Sequence, residues 1–155
     1  MPAQPKSVRG SALRKAALAK GFRSGLEDTV SSSLAARGVT DFTYEQHTLR
    51  YLVPSRIARY TPDFVLPNGI VVETKGRWLP EDRQKIELVM KQFPELELRI
   101  VFNNPRAKIQ PSSKTTYAMV CEKLGIQFAA KDIPQAWLDE PPHEASLAIL
   151  ESMKK

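Results

Sequence analysis

The segment TPDFVLPNGIVVETKGRW, residues 61–78, leaves its backbone few paths, because two apolar runs flank Pro67-Asn68-Gly69. Proline presets the second position of a type I turn, asparagine follows, and glycine takes the left-handed bulge position of a three-residue hairpin loop. That geometry pairs Leu66 with Ile70, Val65 with Val71, Phe64 with Val72 and Asp63 with Glu73. Opposed residues on antiparallel strands share a face, with Cβ atoms about 4.5–5.5 Å apart. Lys75, two positions beyond Glu73, falls on that face too. A two-residue Asn-Gly turn would instead set Asp63 against Thr74 and scatter the trio.

Two like charges directly opposed destabilise a sheet. Protonation of one acid, a cation between them, or fraying of both into water would relieve the pair. A divalent cation turns the repulsion into binding: Mg²⁺ takes a few carboxylate oxygens at about 2.0–2.1 Å and keeps waters elsewhere. Such an ion eases deprotonation of water and neutralises charge developing on a phosphate. Lys75 would then orient the attacking water or stabilise that charge. An ion pair at a strand end accounts for the same spacing without any metal.

The flanking sequence alternates helices with strands. In SGLEDTVSSSLAARG, Ser24 suits an N-cap, Leu26, Val30 and Leu34 recur every four residues, and Gly38 closes the helix. The β-rich run Phe42–Val53 reads as one strand, and PSRIARYTP as a loop with Arg56 and Arg59. After the hairpin come a helix from about Pro80 to Phe93, a strand Leu96–Phe102, and a loop with Arg106, Lys108 and Lys114. A helix from about Thr115 to Leu124, a short strand Ile126–Phe128 and a helical turn around Pro134–Leu138 complete the body. An α/β sandwich follows, with a basic arm over 1–21, the main domain over 22–140 and a short amphipathic tail over 141–155.

Charge narrows the partners. The chain has 23 Lys and Arg against 17 Asp and Glu, and residues 1–26 carry Lys6, Arg9, Arg14, Lys15, Lys20 and Arg23 without one acid. Such clustering suits a polyanion; a solvated tail or an organellar transit peptide has similar composition. No apolar run approaches the roughly 20 residues that span a bilayer. Cys121 is the only cysteine, so no intrachain disulfide forms, which suits a reducing cytoplasm. Set among helical apolar positions, it reads as a core thiol, and His47 and His143 as surface or structural residues.

Pro62-Asp63, then nine residues, then Glu73-Thr74-Lys75 matches the signature of the PD-(D/E)xK nuclease superfamily. The stretches FRSGLED, YTPDF.LPNGI.VETKG.W, FPEL..RIVF and CEK.GI.FA...IP..W, in that order from Phe22 to Trp137, closely resemble the endonuclease I family of T7-like phages. The resemblance implies a restriction-endonuclease-like core of helix, three mostly antiparallel strands, helix and strand, in an element-swapped homodimer. It implies a Mg²⁺-dependent endonuclease, with one or two ions per site and Mn²⁺ able to substitute, that resolves four-way (Holliday) and branched DNA junctions in the bacterial host cytoplasm. Its catalytic set maps onto Glu27, Asp63, Glu73 and Lys75, the three acids holding metal, with Glu27 completing the partner's site. The local reading of Glu27 is a capping box with Ser24. The basic arm, Arg56, Arg59, Arg106, Lys108 and Lys114 would meet DNA phosphates. The family's additional acid falls at Thr43, with Asp41 or Glu45 as substitutes, and its basic C-terminus is here the mixed EASLAILESMKK. A superfamily nuclease with another DNA substrate (restriction-like or transposon-end cleaving) and a non-catalytic branched-DNA-binding protein are the alternatives.

Overall fold

A computed structural model describes Gly21 and residues 25–53 and 55–154. The expected N-cap Ser24 and the basic residues Lys6, Arg9, Arg14, Lys15, Lys20 and Arg23 lie outside the described residues. Helix α1 (Gly25–Ala36) buries Val30 and Leu34 as their spacing requires. Gly38, with a φ of +79°, ends it, and the Val39 N–H returns to the Leu34 carbonyl at 2.9 Å.

The run Phe42–Val53 is two strands in different sheets, β1 (Thr43–Tyr44) and β2 (Leu49–Val53), and not one. Glu45 between them has a left-handed φ of 52°, which a continuous strand cannot contain. The segment expected to be a loop contains β3 (Arg56–Tyr60), which pairs antiparallel with β2 from Leu49↔Tyr60 to Val53↔Arg56. The Gln92 amide clasps this hairpin, accepting from the Leu52 N–H and donating to the Leu52 carbonyl, both at 2.5 Å.

The main sheet has the order β1-β4-β5-β6-β7, with β4 at Phe64–Val65, β5 at Ile70–Lys75, β6 at Glu97–Phe102 and β7 at Phe128–Ala130. The first three strands are antiparallel and the last three parallel. A parallel neighbour needs a crossover, supplied by α2 (Pro80–Gln92) between β5 and β6. Pro80 sits in its first turn beside Glu81 and Asp82, acids that suit the positive end of the helix dipole. Helix α3 (Tyr117–Leu124) starts at Thr116, whose hydroxyl accepts the Met119 N–H, and stops at left-handed Gly125. The last short strand begins at Phe128, later than its sequence suggests, because Ile126 first turns into the core.

Alternation along the strands divides the core. Val65, Val71, Leu98, Ile100 and Phe102 pack on one face with Trp78, Ile86, Tyr117 and the hairpin's Leu49, Tyr51 and Tyr60. Phe64, Ile70, Val72 and Val101 pack on the other with α1 and with Ile133 and Trp137 around α4 (Gln135–Leu138). Each fully buried aliphatic side chain contributes about 1.5–3 kcal/mol, so β5 can carry a charged residue and still hold its place.

The C-terminal segment forms α5 (Glu144–Ser152), docked on the turn of the β4–β5 hairpin. The His143 N–H donates to the Asn68 carbonyl, and Ser146 Oγ donates to the Gly69 carbonyl at 2.7 Å while accepting the Glu97 N–H. Nearby, buried Arg99 on β6 donates to Glu140 through both terminal nitrogens and to Glu97, over the Trp137 ring. Among the described residues, no helix is long and apolar enough to cross a membrane.

Candidate active site

The hairpin register is the one set by a three-residue loop: Val65 pairs with Val71 and Phe64 with Val72, and the Gly69 N–H closes the turn on the Leu66 carbonyl. Beyond Phe64↔Val72 the paired register ends, and Asp63 reaches β5 through side-chain bonds. Asp63 Oδ2 accepts both the N–H of Thr74 at 2.8 Å and its Oγ1–H at 2.7 Å. Glu73 Oε2 accepts the Tyr60 hydroxyl at 2.7 Å, and Oε1 lies 3.3 Å from Lys75 Nζ. Lys75 Nζ is also 3.7 Å from Asp82 Oδ1, at the start of α2.

Glu27 reaches the same place from α1. It is buried, accepts the Tyr44 hydroxyl through Oε2 at 2.5 Å, and its charge acts on Asp63. Ser24, the other half of the expected capping box, lies outside the described residues; the Tyr44 hydroxyl donates to Glu27. All four side chains that the sequence singles out thus converge at one end of β5.

Burial dominates the electrostatics. Burial first and the charge of Asp63 second raise Glu73 from 4.5 to about 7, against the opposing pull of Lys75 and the Tyr60 bond. Asp63 is raised by burial and by Glu27, against the two Thr74 bonds and Lys75. For Lys75, burial favours the neutral amine, but Glu73, Asp82 and Asp63 together outweigh it and its pKa rises. Lys75 is therefore an ammonium ion, suited to donating and to meeting negative charge rather than to taking a proton. Burial and Glu73 push the Tyr60 phenol well above its usual value, so it stays a neutral donor.

Among the described residues, no group of three or more His, Cys, Asp or Glu side chains is arranged so as to hold a metal ion. Each acid is instead turned to a hydroxyl: Glu27 to Tyr44, Asp63 to Thr74 and Glu73 to Tyr60. The donor set nonetheless suits a hard cation. It comprises carboxylate oxygens only, two of them in groups whose ionised forms burial and mutual repulsion disfavour, a cost that a divalent ion would offset.

The remaining residues separate. Arg56 and Arg59 are exposed on β3, where Arg59 stands opposite Arg50. Arg106, Lys108 and Lys114 are exposed on the loop after β6. That loop leaves the sheet beside the site, where the Asn103 N–H donates to the Lys75 carbonyl. Thr43 meets His47 at 3.3 Å, and Glu45 forms the bend between β1 and β2. His47 and Cys121 are buried, and His143 bonds Glu140. Tyr44, Tyr60, Thr74 and Asp82 were not visible from sequence as parts of the site. Only Thr74, inside the Glu-Thr-Lys triplet, had a positional hint.

The family model for phage endonuclease I matches residues 9–155. Endonuclease I of Escherichia phage T7 is 51% identical over 123 residues, 79% of this chain and 82% of the relative. Endodeoxyribonuclease 1 of Enterobacteria phage T3 is 49% identical over 125 residues, 81% of this chain and 82% of the relative. With its paired acids on a three-residue hairpin and a family match over nearly its whole length, the chain belongs to the phage endonuclease I family.

Proposed function

We propose that this endonuclease hydrolyses phosphodiesters in branched DNA, four-way junctions among them, with Mg²⁺ as cofactor and Mn²⁺ as a substitute. The observation that carries the reading is the convergence of Glu27, Asp63, Glu73 and a charged Lys75 at one end of β5. Two relatives named as an endonuclease and an endodeoxyribonuclease support DNA hydrolysis as the reaction of such a site.

Glu27, Asp63 and Glu73 would hold one or two ions. The ion supplies positive charge at the scissile phosphate. Water adds to phosphorus and gives up a proton to solvent, the P–O3′ bond breaks with O3′ taking up a proton, and the products are a 5′-phosphate and a 3′-hydroxyl. Lys75 donates to the phosphate oxygens as their charge grows, or orients the water; because it is already protonated it is not the general base. Arg56, Arg59, Arg106, Lys108 and Lys114 meet backbone phosphates outside the site, so affinity falls steeply with salt.

A homodimer places two such sites against two opposed strands of a junction. Exchange of α1 between protomers would put a partner's Glu27 where the chain's own now lies, since swapping exchanges identical elements. A phage enzyme of this kind meets its DNA in the host cytoplasm.

The test is a digest of a four-way junction and of a linear duplex of the same sequence, in Mg²⁺, with wild type, Glu73→Ala and Lys75→Ala. Cleavage of the junction by wild type alone supports the reading. Equal cutting by all three sinks the site assignment, and preference for the linear duplex sinks the substrate. Light scattering on the purified chain reads the dimer.

A further inference from the structure

A carboxylate on a glutamate has three side-chain torsions, so burial alone does not fix its plane. Glu73 is gripped on both oxygens, Oε2 by the Tyr60 hydroxyl at 2.7 Å and Oε1 by Lys75 at 3.3 Å. The two grips differ in stiffness. Lys75 sits at the end of a long flexible stem and also faces Asp82. Tyr60 has two torsions, is 3% exposed, and is wedged in the core with Leu49, Tyr51 and Val65. Its backbone pairs with Leu49 in the hairpin that Gln92 fastens to α2. The phenol therefore carries the rigidity of a second sheet to one oxygen of the catalytic strand.

We propose that Tyr60 is a positioning residue for DNA cleavage: its hydroxyl fixes the plane of the Glu73 carboxylate and so the direction in which that group meets the divalent cation. The inference rests on the proposed function, and on Glu73 as a ligand in particular. A buried phenol needs an acceptor in any protein, so the test must separate aim from mere satisfaction of a hydrogen bond.

Tyr60→Phe keeps the ring and deletes the donor. Three readouts are taken on the full chain: Mn²⁺ binding by titration calorimetry without DNA, the single-turnover rate on a four-way junction at saturating enzyme, and junction affinity in EDTA. Loss of an outer partner of a metal ligand costs about 10–100-fold in metal affinity or activity. The Mn²⁺ dissociation constant should rise by that order, the rate should fall comparably at low Mn²⁺ and recover partly at high Mn²⁺, and junction affinity in EDTA should stay within about twofold. A purely structural role would lower the melting temperature and leave Mn²⁺ affinity intact, and that result overturns the proposal, as does a variant identical to wild type in all three. If wild type itself binds no Mn²⁺ or cuts no DNA, the proposed function fails and this inference with it. If wild type does both and the variant matches it, the inference alone fails.

Discussion

Replacing Glu73 with glutamine should make the metal-free protein more stable at pH 8 and change little near pH 4. Burial lifts this acid from 4.5 to about 7 in the folded chain. An acid raised on folding contributes fully below its unfolded pKa and loses that contribution as pH rises through the folded one. At about 1.4 kcal/mol per pH unit, ionised Glu73 costs the fold roughly 3 kcal/mol at pH 8. Glutamine removes that cost, and the opposing pull of Lys75, 3.3 Å away in a largely buried pair, is already contained in the net shift. The net gain should be about 3 kcal/mol, or roughly 6–12 °C in Tm for a domain of this size. Urea denaturation in EDTA at pH 4, 5.5, 7 and 8 reads it directly. EDTA matters, because an ion bound only to the native state would stabilise wild type selectively. The difference should open between pH 4.5 and 7 and then level off. A difference that stays flat with pH, or a variant weaker than wild type at pH 8, would refute the reasoning.

Two other perturbations follow from the far end of the sheet. Glu140→Ala leaves buried Arg99 with Glu97 as its remaining carboxylate partner, and should cost about 3 kcal/mol by chemical denaturation while DNA cutting persists below the melting point. Glu140 is held down to about 2 by Arg99, so its contribution has the opposite sign to that of Glu73: present above the unfolded value of 4.5, it is lost as pH falls toward 2, and acid unfolding of Glu140→Ala should be less steep there. Gly69→Ala asks an L residue to hold a φ of +88°, with its new Cβ 2.9 Å from Leu147 Cγ and 3.1 Å from the His143 carbonyl. Strain and overpacking together should cost about 2 kcal/mol or more, read as a fall in Tm.

Legibility from sequence followed how local each determinant is. Pro67, Asn68 and Gly69 fix a turn among themselves, so the pairing of Phe64 with Val72 and Val65 with Val71 can be counted off without any distant contact. The ends of α2 and α3 were similarly marked by Pro80 and Gly125. Strand β3 is not legible from sequence because four of its five residues are not buried, and the polar pattern looks like a loop until β2 is placed beside it. The break at Glu45 had no warning, since nothing nearby demands a left-handed glutamate. Tyr44 and Tyr60 were missed because a tyrosine at a strand end is ordinary core, and only the fold aims its hydroxyl at a particular acid. The sequence of helix α5 looks like a tail because its anchor, Ser146, bonds backbone groups of residues 69 and 97 that no spacing rule connects to it.

That anchor sets an order of events. Gly69 and Ser146 are 77 positions apart, so a ribosome delivers the bend between the two acids long before it delivers the serine that fastens it. Throughout that interval the strands of the acid-bearing hairpin can pair with β1 and then β6, but its turn lacks the serine clasp. A protease nick between Pro141 and Ser146 in the mature protein would recreate that unfastened condition.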